Sequence, residues 1–276
     1  MQRLIIGTIL AILCLPLSAQ ALTLSGQLKQ GGMAIGKVDP TSRVFFKGKP
    51  VRVSGEGVFV IGFSRDAEPE AEIEIHRSSG KIEKHPVRIE QRTYKIQRID
   101  GLPPKKVTPS SADLARIREE YALVRKVRKK DDPRIDFTQT FIWPVTGRIS
   151  GVYGSQRILN GKPRRPHAGV DIAAPTGTPV KAPIDGVVTL AHDDMFYSGG
   201  TLIVDHGHGL STVYMHLHKI LVKEGQTVKQ GDVIAQVGAT GRVTGPHLHW
   251  GMNWFETRLD PSLMVPPMPK PSASKK

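Results

Sequence analysis

The sequence predicts an all-β, mainly antiparallel protein with a single intervening helix, and three observations point to it. Between residues 22 and 100 apolar and polar residues alternate in short runs. Ile73 and Ile75 among Glu72, Glu74 and His76 are one case, with the two-residue period of a half-buried strand. Seventeen of the 28 glycines fall from Gly147 to Gly251, separating brief Val/Ile-rich runs as turns separate strands. Helical spacing occurs once, near residues 110–130.

Composition narrows the class. Of 276 residues 39% are hydrophobic, enough for a sizeable core and for two domains. Glycine and proline together stay under a fifth of the chain, which excludes collagen-like and low-complexity readings.

Met1–Arg3 supply one positive charge, Leu4–Leu17 are almost wholly apolar, and Ser18–Ala21 end in a small-x-small pattern. This predicts a secretory signal peptide over 1–21, cleaved after Ala21. A retained anchor is the weaker reading, because the run falls short of the ~20 residues a span needs. Lipidation of Cys14 is disfavoured by Leu13, which is not small. Cys14 is the only cysteine, so the exported chain has no disulfide, thiolate metal site or cysteine nucleophile. Any metal must be held by histidine and carboxylate.

Residues 22–102 read as a small N-terminal β-sandwich-like domain, with Ser54–Gly57 and Ser78–Gly80 as turns. A linker follows over 103–136. Ser110 or Ser111 can cap its helix with Asp113 in the first turn, and Leu114, Ile117, Tyr121 and Val124 form one stripe. Basic residues crowd the helix end before Asp132-Pro133. Residues 101–130 hold nine Lys or Arg against three acids, a run that by itself reads as a solvated face. A second β domain is predicted over 137–265, with a hairpin from Thr201 to His216, and a disordered tail over 266–276.

Eight of the ten histidines lie between 167 and 249, and three His-x-His pairs occur where chance predicts about 0.4. In a strand, His247 and His249 present two imidazoles on one face, and His167 and Asp171 share parity likewise. Two histidines and a carboxylate leave a tetrahedral zinc one open position, as a catalytic site needs. His206 and His208, flanked by Gly207 and Gly209, are expected in a turn with exposed imidazoles.

Residues 141–253 resemble the catalytic domain of the lysostaphin/LytM-type zinc metallopeptidases, bacterial endopeptidases that cut peptidoglycan cross-links. The resemblance rests on His167-x-x-x-Asp171 followed by Ile172–Val180, on Tyr214-Met215-His216-Leu217 and on Gly245-Pro246-His247-Leu248-His249. It implies one zinc per chain on His167, Asp171 and His249, with His216 and His247 as the catalytic pair. Met215 departs from the smaller residue expected there. Residues 22–100 are similar, more weakly, to the β domain that often precedes such catalytic domains.

The chemistry is consistent with this likeness. Peptide hydrolysis needs an activated water and a polarised carbonyl, and one zinc can serve both. No His-Glu-x-x-His occurs, so neutral histidines would do the acid–base work. The alternative is a non-catalytic relative that binds peptidoglycan or activates an amidase, but such relatives typically lack the zinc ligands. A lipoyl- or biotinyl-type carrier needs a modifiable lysine at an exposed turn flanked by its own motif, and the sequence shows none. Nucleic-acid binding is disfavoured by export and by 6% aromatic content despite a net charge of +14. Such a basic protein suits the anionic cell wall. The sequence therefore predicts a periplasmic or secreted protein with peptidoglycan stem peptides as partner and no stable membrane insertion after signal removal.

Overall fold

A computed structural model of the chain describes residues 21–269. The predicted signal peptide, but for Ala21, and residues 270–276 of the predicted tail lie outside the described residues. No helix among the described residues is long and apolar enough to cross a membrane.

The N-terminal strands form two antiparallel sheets. One joins Thr23–Gly26, Met33–Lys37 and Val58–Gly62; the other joins Lys49–Val51, Arg43–Phe46, Glu70–His76 and Ile82–Arg88. Alternation turns Phe59 and Ile61 of the first toward Val44, Phe46, Ile73 and Ile75 of the second, and these residues share one core. Met33 and Val60 point the other way, into the core of the second half of the chain.

That second half is built on a sheet in the order Thr227–Val228, Gly186–Met195, Gly199–Asp205, Leu210–Leu217, His247–Trp254, Gly169–Ala173 and Arg148–Gly151, all antiparallel. Val170, Ile172, Leu248 and Trp250 are buried on one face. The residues between them are left to the opposite face, which carries the histidines.

The helix runs Ser111–Arg128, with Ser110 as N-cap and a reciprocal bond from Asp113. Its stripe is only partly used. Ile117 is buried, whereas Leu114 and Tyr121 stay exposed. The helix lies over the groove on the histidine-bearing face instead of packing broadly on a core.

Three further features depart from sequence expectation. Ile96–Ile99, counted with the N-terminal strands, pairs in parallel with Gln156–Leu159 and so braces the hairpin that this strand forms with Lys162–Arg164. Pro266 and Met268 fall within the expected disordered tail. Yet Trp143 Nε1 donates to the Pro266 carbonyl at 2.7 Å, and Met268 packs on the core.

His206 and His208 are also not exposed. The segment around Asp132–Phe137 folds over their turn. Arg134 pairs with Asp205, His208 N donates to the Asp132 carbonyl, and Phe137 packs on the His208 ring. His206 Nδ1 donates to the Asp185 carbonyl at 2.6 Å and its Nε2 meets Thr212 Oγ1 at 2.8 Å. Burial lowers the His206 pKa to about 4, so the ring is neutral.

Candidate metal centre and catalytic cleft

Strand register assembles the site. Asp171 stands opposite His249, and Ala173 opposite His247, so both histidines share a face with the carboxylate. His167 enters just before its strand, held by backbone bonds to Gly154 and Ser155. Two glycines leave room for these groups. A Cβ on Gly151 would run into Asp171 Oδ2, and one on Gly169 would lie 2.9 Å from His249 Nε2.

Three donor atoms converge. His167 Nε2 lies 2.9 Å from His249 Nδ1 and 3.0 Å from Asp171 Oδ1, which is itself 2.8 Å from His249 Nδ1. All three residues are buried. Burial pulls the His249 pKa down to about 4. Burial would raise that of Asp171, but the two imidazoles against it more than reverse this and hold it well below the ordinary carboxylate range. His167 Nδ1 donates to the Val152 carbonyl at 3.0 Å, so Nε2 carries a lone pair whenever the ring holds a single proton. Three close contacts among these atoms would then share at most one proton. A cation satisfies what protons cannot, and two imidazoles with one carboxylate are a donor set zinc accepts.

Two more imidazoles flank the cluster. His216 Nδ1 donates to the Thr240 carbonyl and His247 Nδ1 to the Gly245 carbonyl, each at 2.9 Å. Each ring thereby keeps Nε2 free to accept a proton. The two ring centres are 4.8 Å apart, and His247 Nε2 is 3.8 Å from Asp171 Oδ1. Burial, then the neighbouring imidazoles, hold His216 neutral, well below the ordinary histidine value. Its backbone stands at φ 64°, a region costly to a residue with a side chain, and its amide donates to the Ser198 carbonyl at 2.7 Å.

All five residues singled out by sequence, His167, Asp171, His216, His247 and His249, therefore lie together in one cluster. Sequence reasoning missed what surrounds them. Arg157 Nη2 donates to Asp171 Oδ2 at 2.6 Å. A cavity of about 430 Å³ opens beside His167, His216 and His249, with Ile117, Val124 and Arg128 of the helix as its opposite wall. Met215 lines it too.

Comparison with known proteins gives a consistent picture. Residues 165–261 match the sequence profile of peptidase family M23. Over 107 residues the chain is 48% identical to an uncharacterized metalloprotease of Haemophilus influenzae and 45% identical to the peptidoglycan DD-endopeptidase ShyB of Vibrio cholerae. Each match covers 39% of this chain but only 19% and 21% of those relatives' own length. A crystal structure from Pseudomonas aeruginosa, described as an M23 peptidase, superposes with a TM-score of 0.69 at 32% identity, covering 87% of this chain and 95% of that one.

Proposed function

Because the chain belongs to peptidase family M23, we propose that it is a zinc-dependent endopeptidase hydrolysing peptide cross-links of bacterial peptidoglycan. The observation that carries this reading is the convergence of His167 Nε2, Asp171 Oδ1 and His249 Nδ1 within 3.0 Å of one another, beside two imidazoles with free Nε2 atoms.

His167, Asp171 and His249 would hold the metal. Zinc bound there supplies Lewis acidity toward the scissile carbonyl and brings the pKa of a water toward ~7. His216, kept neutral by its burial, accepts the water's proton at Nε2 and returns it to the leaving amine nitrogen. Half-buried His247, when protonated at Nε2, donates to the oxyanion that forms on the carbonyl. The Thr240 carbonyl keeps His216 in the tautomer this needs, with Nε2 bare, and the Gly245 carbonyl anchors the His247 ring through Nδ1.

The same proposal includes export through the signal sequence to the periplasm, or secretion from the cell, and the division of the chain at 22–102, 103–136 and 137–265. A non-catalytic peptidoglycan binder or amidase activator would not need all five groups. The test is digestion of purified sacculi, with released muropeptides identified by mass. The wild type is expected to release uncross-linked peptides and His216→Ala to release none above background. Equal release by the two proteins would overturn the catalytic reading.

A further inference from the structure

The cavity beside the imidazoles carries far more positive charge than it balances. Arg128, Arg157, Arg164, Arg165, Arg242 and Arg258 all line it. Among the described residues, only Arg157 of these six has a carboxylate within ion-pair distance, namely Asp171. The acid on the cavity wall, Glu120, is already engaged by Arg116 at 2.7 Å and by the Phe196 amide at 2.9 Å. Arg164 and Arg242 donate hydrogen bonds only to backbone carbonyls, those of Pro163, Val107 and Lys106, and Arg242 also lies over the Tyr197 ring.

Three buried donor atoms in the same cavity have no acceptor: Arg128 Nε, Arg157 Nε and Asn253 Nδ2. Burial, then the charge of Arg258, pushes the Arg128 pKa down to about 10. Crowded, partly desolvated guanidinium groups destabilise the free protein, and an anion accepting their hydrogen bonds would relieve both the repulsion and the unmet donors. The rest of the lining narrows the anion. Ile117, Val124, Met195 and Val213 make an apolar wall that suits an aliphatic chain more than a sugar or an isolated phosphate. A planar anion at the end of such a chain matches the guanidinium fork.

We propose that this arginine-lined cavity is a binding subsite for a carboxylate borne on an aliphatic arm of the peptide substrate, next to the bond being cut. The inference rests on the peptidase reading above and adds what the cleft selects. The helix Ser111–Arg128 is then part of the substrate site, contributing both the apolar wall and Arg128.

Binding separates this from the chemistry. The full exported chain carrying His216→Ala is titrated calorimetrically with a cross-linked stem-peptide dimer. The titration is repeated with the same dimer amidated at every carboxylate, at the C-termini alone, or at the side chains alone. Full amidation is expected to weaken binding at least about tenfold, the scale of lost charge-assisted hydrogen bonds. Weakening by only one partial amidation supports the subsite and identifies which carboxylate enters it.

Arg258→Gln and Arg128→Gln should each shrink the preference for the free acid to within about twofold, while Arg258→Lys retains part of it. Arg165→Gln, at an exposed residue of the lining, should lower the preference without altering the melting temperature. Equal affinity for free and amidated dimers, or an undiminished preference in all the arginine variants, would overturn the proposal. If the wild type digests sacculi yet shows no preference, the subsite alone fails. A preference without digestion would leave the subsite standing and sink the peptidase reading.

Discussion

Arg157 Nη2 lies 2.6 Å from Asp171 Oδ2, the carboxylate oxygen turned away from the two imidazoles. The other oxygen, Oδ1, faces His167 and His249. The guanidinium thus fixes the carboxylate's rotation and leaves one oxygen for a metal. Arg157 is itself fixed, because its strand pairs on one side with Lys162–Arg164 and on the other with Ile96–Ile99.

Arg157→Ala should therefore weaken metal binding by about 10–100-fold, the usual effect of losing a group that orients a ligand, with little change in fold. Competition against a chelator of known affinity measures this. An unchanged affinity would mean that Asp171 needs no such partner.

Gly151→Ala tests the same carboxylate oxygen by crowding it. The new methyl group would occupy the space of Asp171 Oδ2, so the carboxylate must rotate or the strand must shift. Metal affinity should fall while far-UV circular dichroism stays that of the wild type. A variant that binds metal normally would show that the strand yields without disturbing the donors.

His206 gives a pH dependence whose direction follows from its burial. Its pKa is about 4 in the folded chain against an ordinary 6.5. Below pH 6.5 the unfolded chain takes up a proton that the folded chain refuses. The stabilisation from this ring is complete above pH 6.5 and is lost as pH falls toward 4, at most roughly 3 kcal/mol. Denaturant melts between pH 7 and 4 should thus show a shallower acid loss for His206→Asn than for the wild type. Parallel curves would place the acid sensitivity elsewhere.

The helix offers a check on stability. Ile117 is its one buried residue, so Ile117→Ala should lower stability by about 2 kcal/mol or less. That is the low end for a core truncation, because the residue borders an open cavity. A loss well above this would mean that the helix is a structural support of the fold more than a wall of the cleft.

Local chemistry was legible in the sequence where one strand's geometry carries it. His247 and His249 share a face because a strand alternates, and Ser110 caps its helix because Asp113 stands three residues on. Illegible were the consequences of pairing distant segments. Nothing local to Arg157 points to Asp171, fourteen residues away across a hairpin. Gly-flanked His206 and His208 have the local signature of an open turn, and only the return of Asp132–Phe137 over them buries them. Arg128 was one basic residue in a run of solvated ones until the helix set it over the cavity. The carbonyls of Val152, Thr240 and Gly245, which fix three tautomers, leave no mark in residue identity at all.

Three of the five clustered residues are expected to hold a metal and two are not. Elemental analysis of the purified wild type, His249→Ala and His216→Ala tests this division most directly. About one zinc per chain is expected in the wild type and in His216→Ala, and close to none in His249→Ala. A wild type without zinc, or a His216→Ala protein that loses it as fully as His249→Ala, would contradict the account.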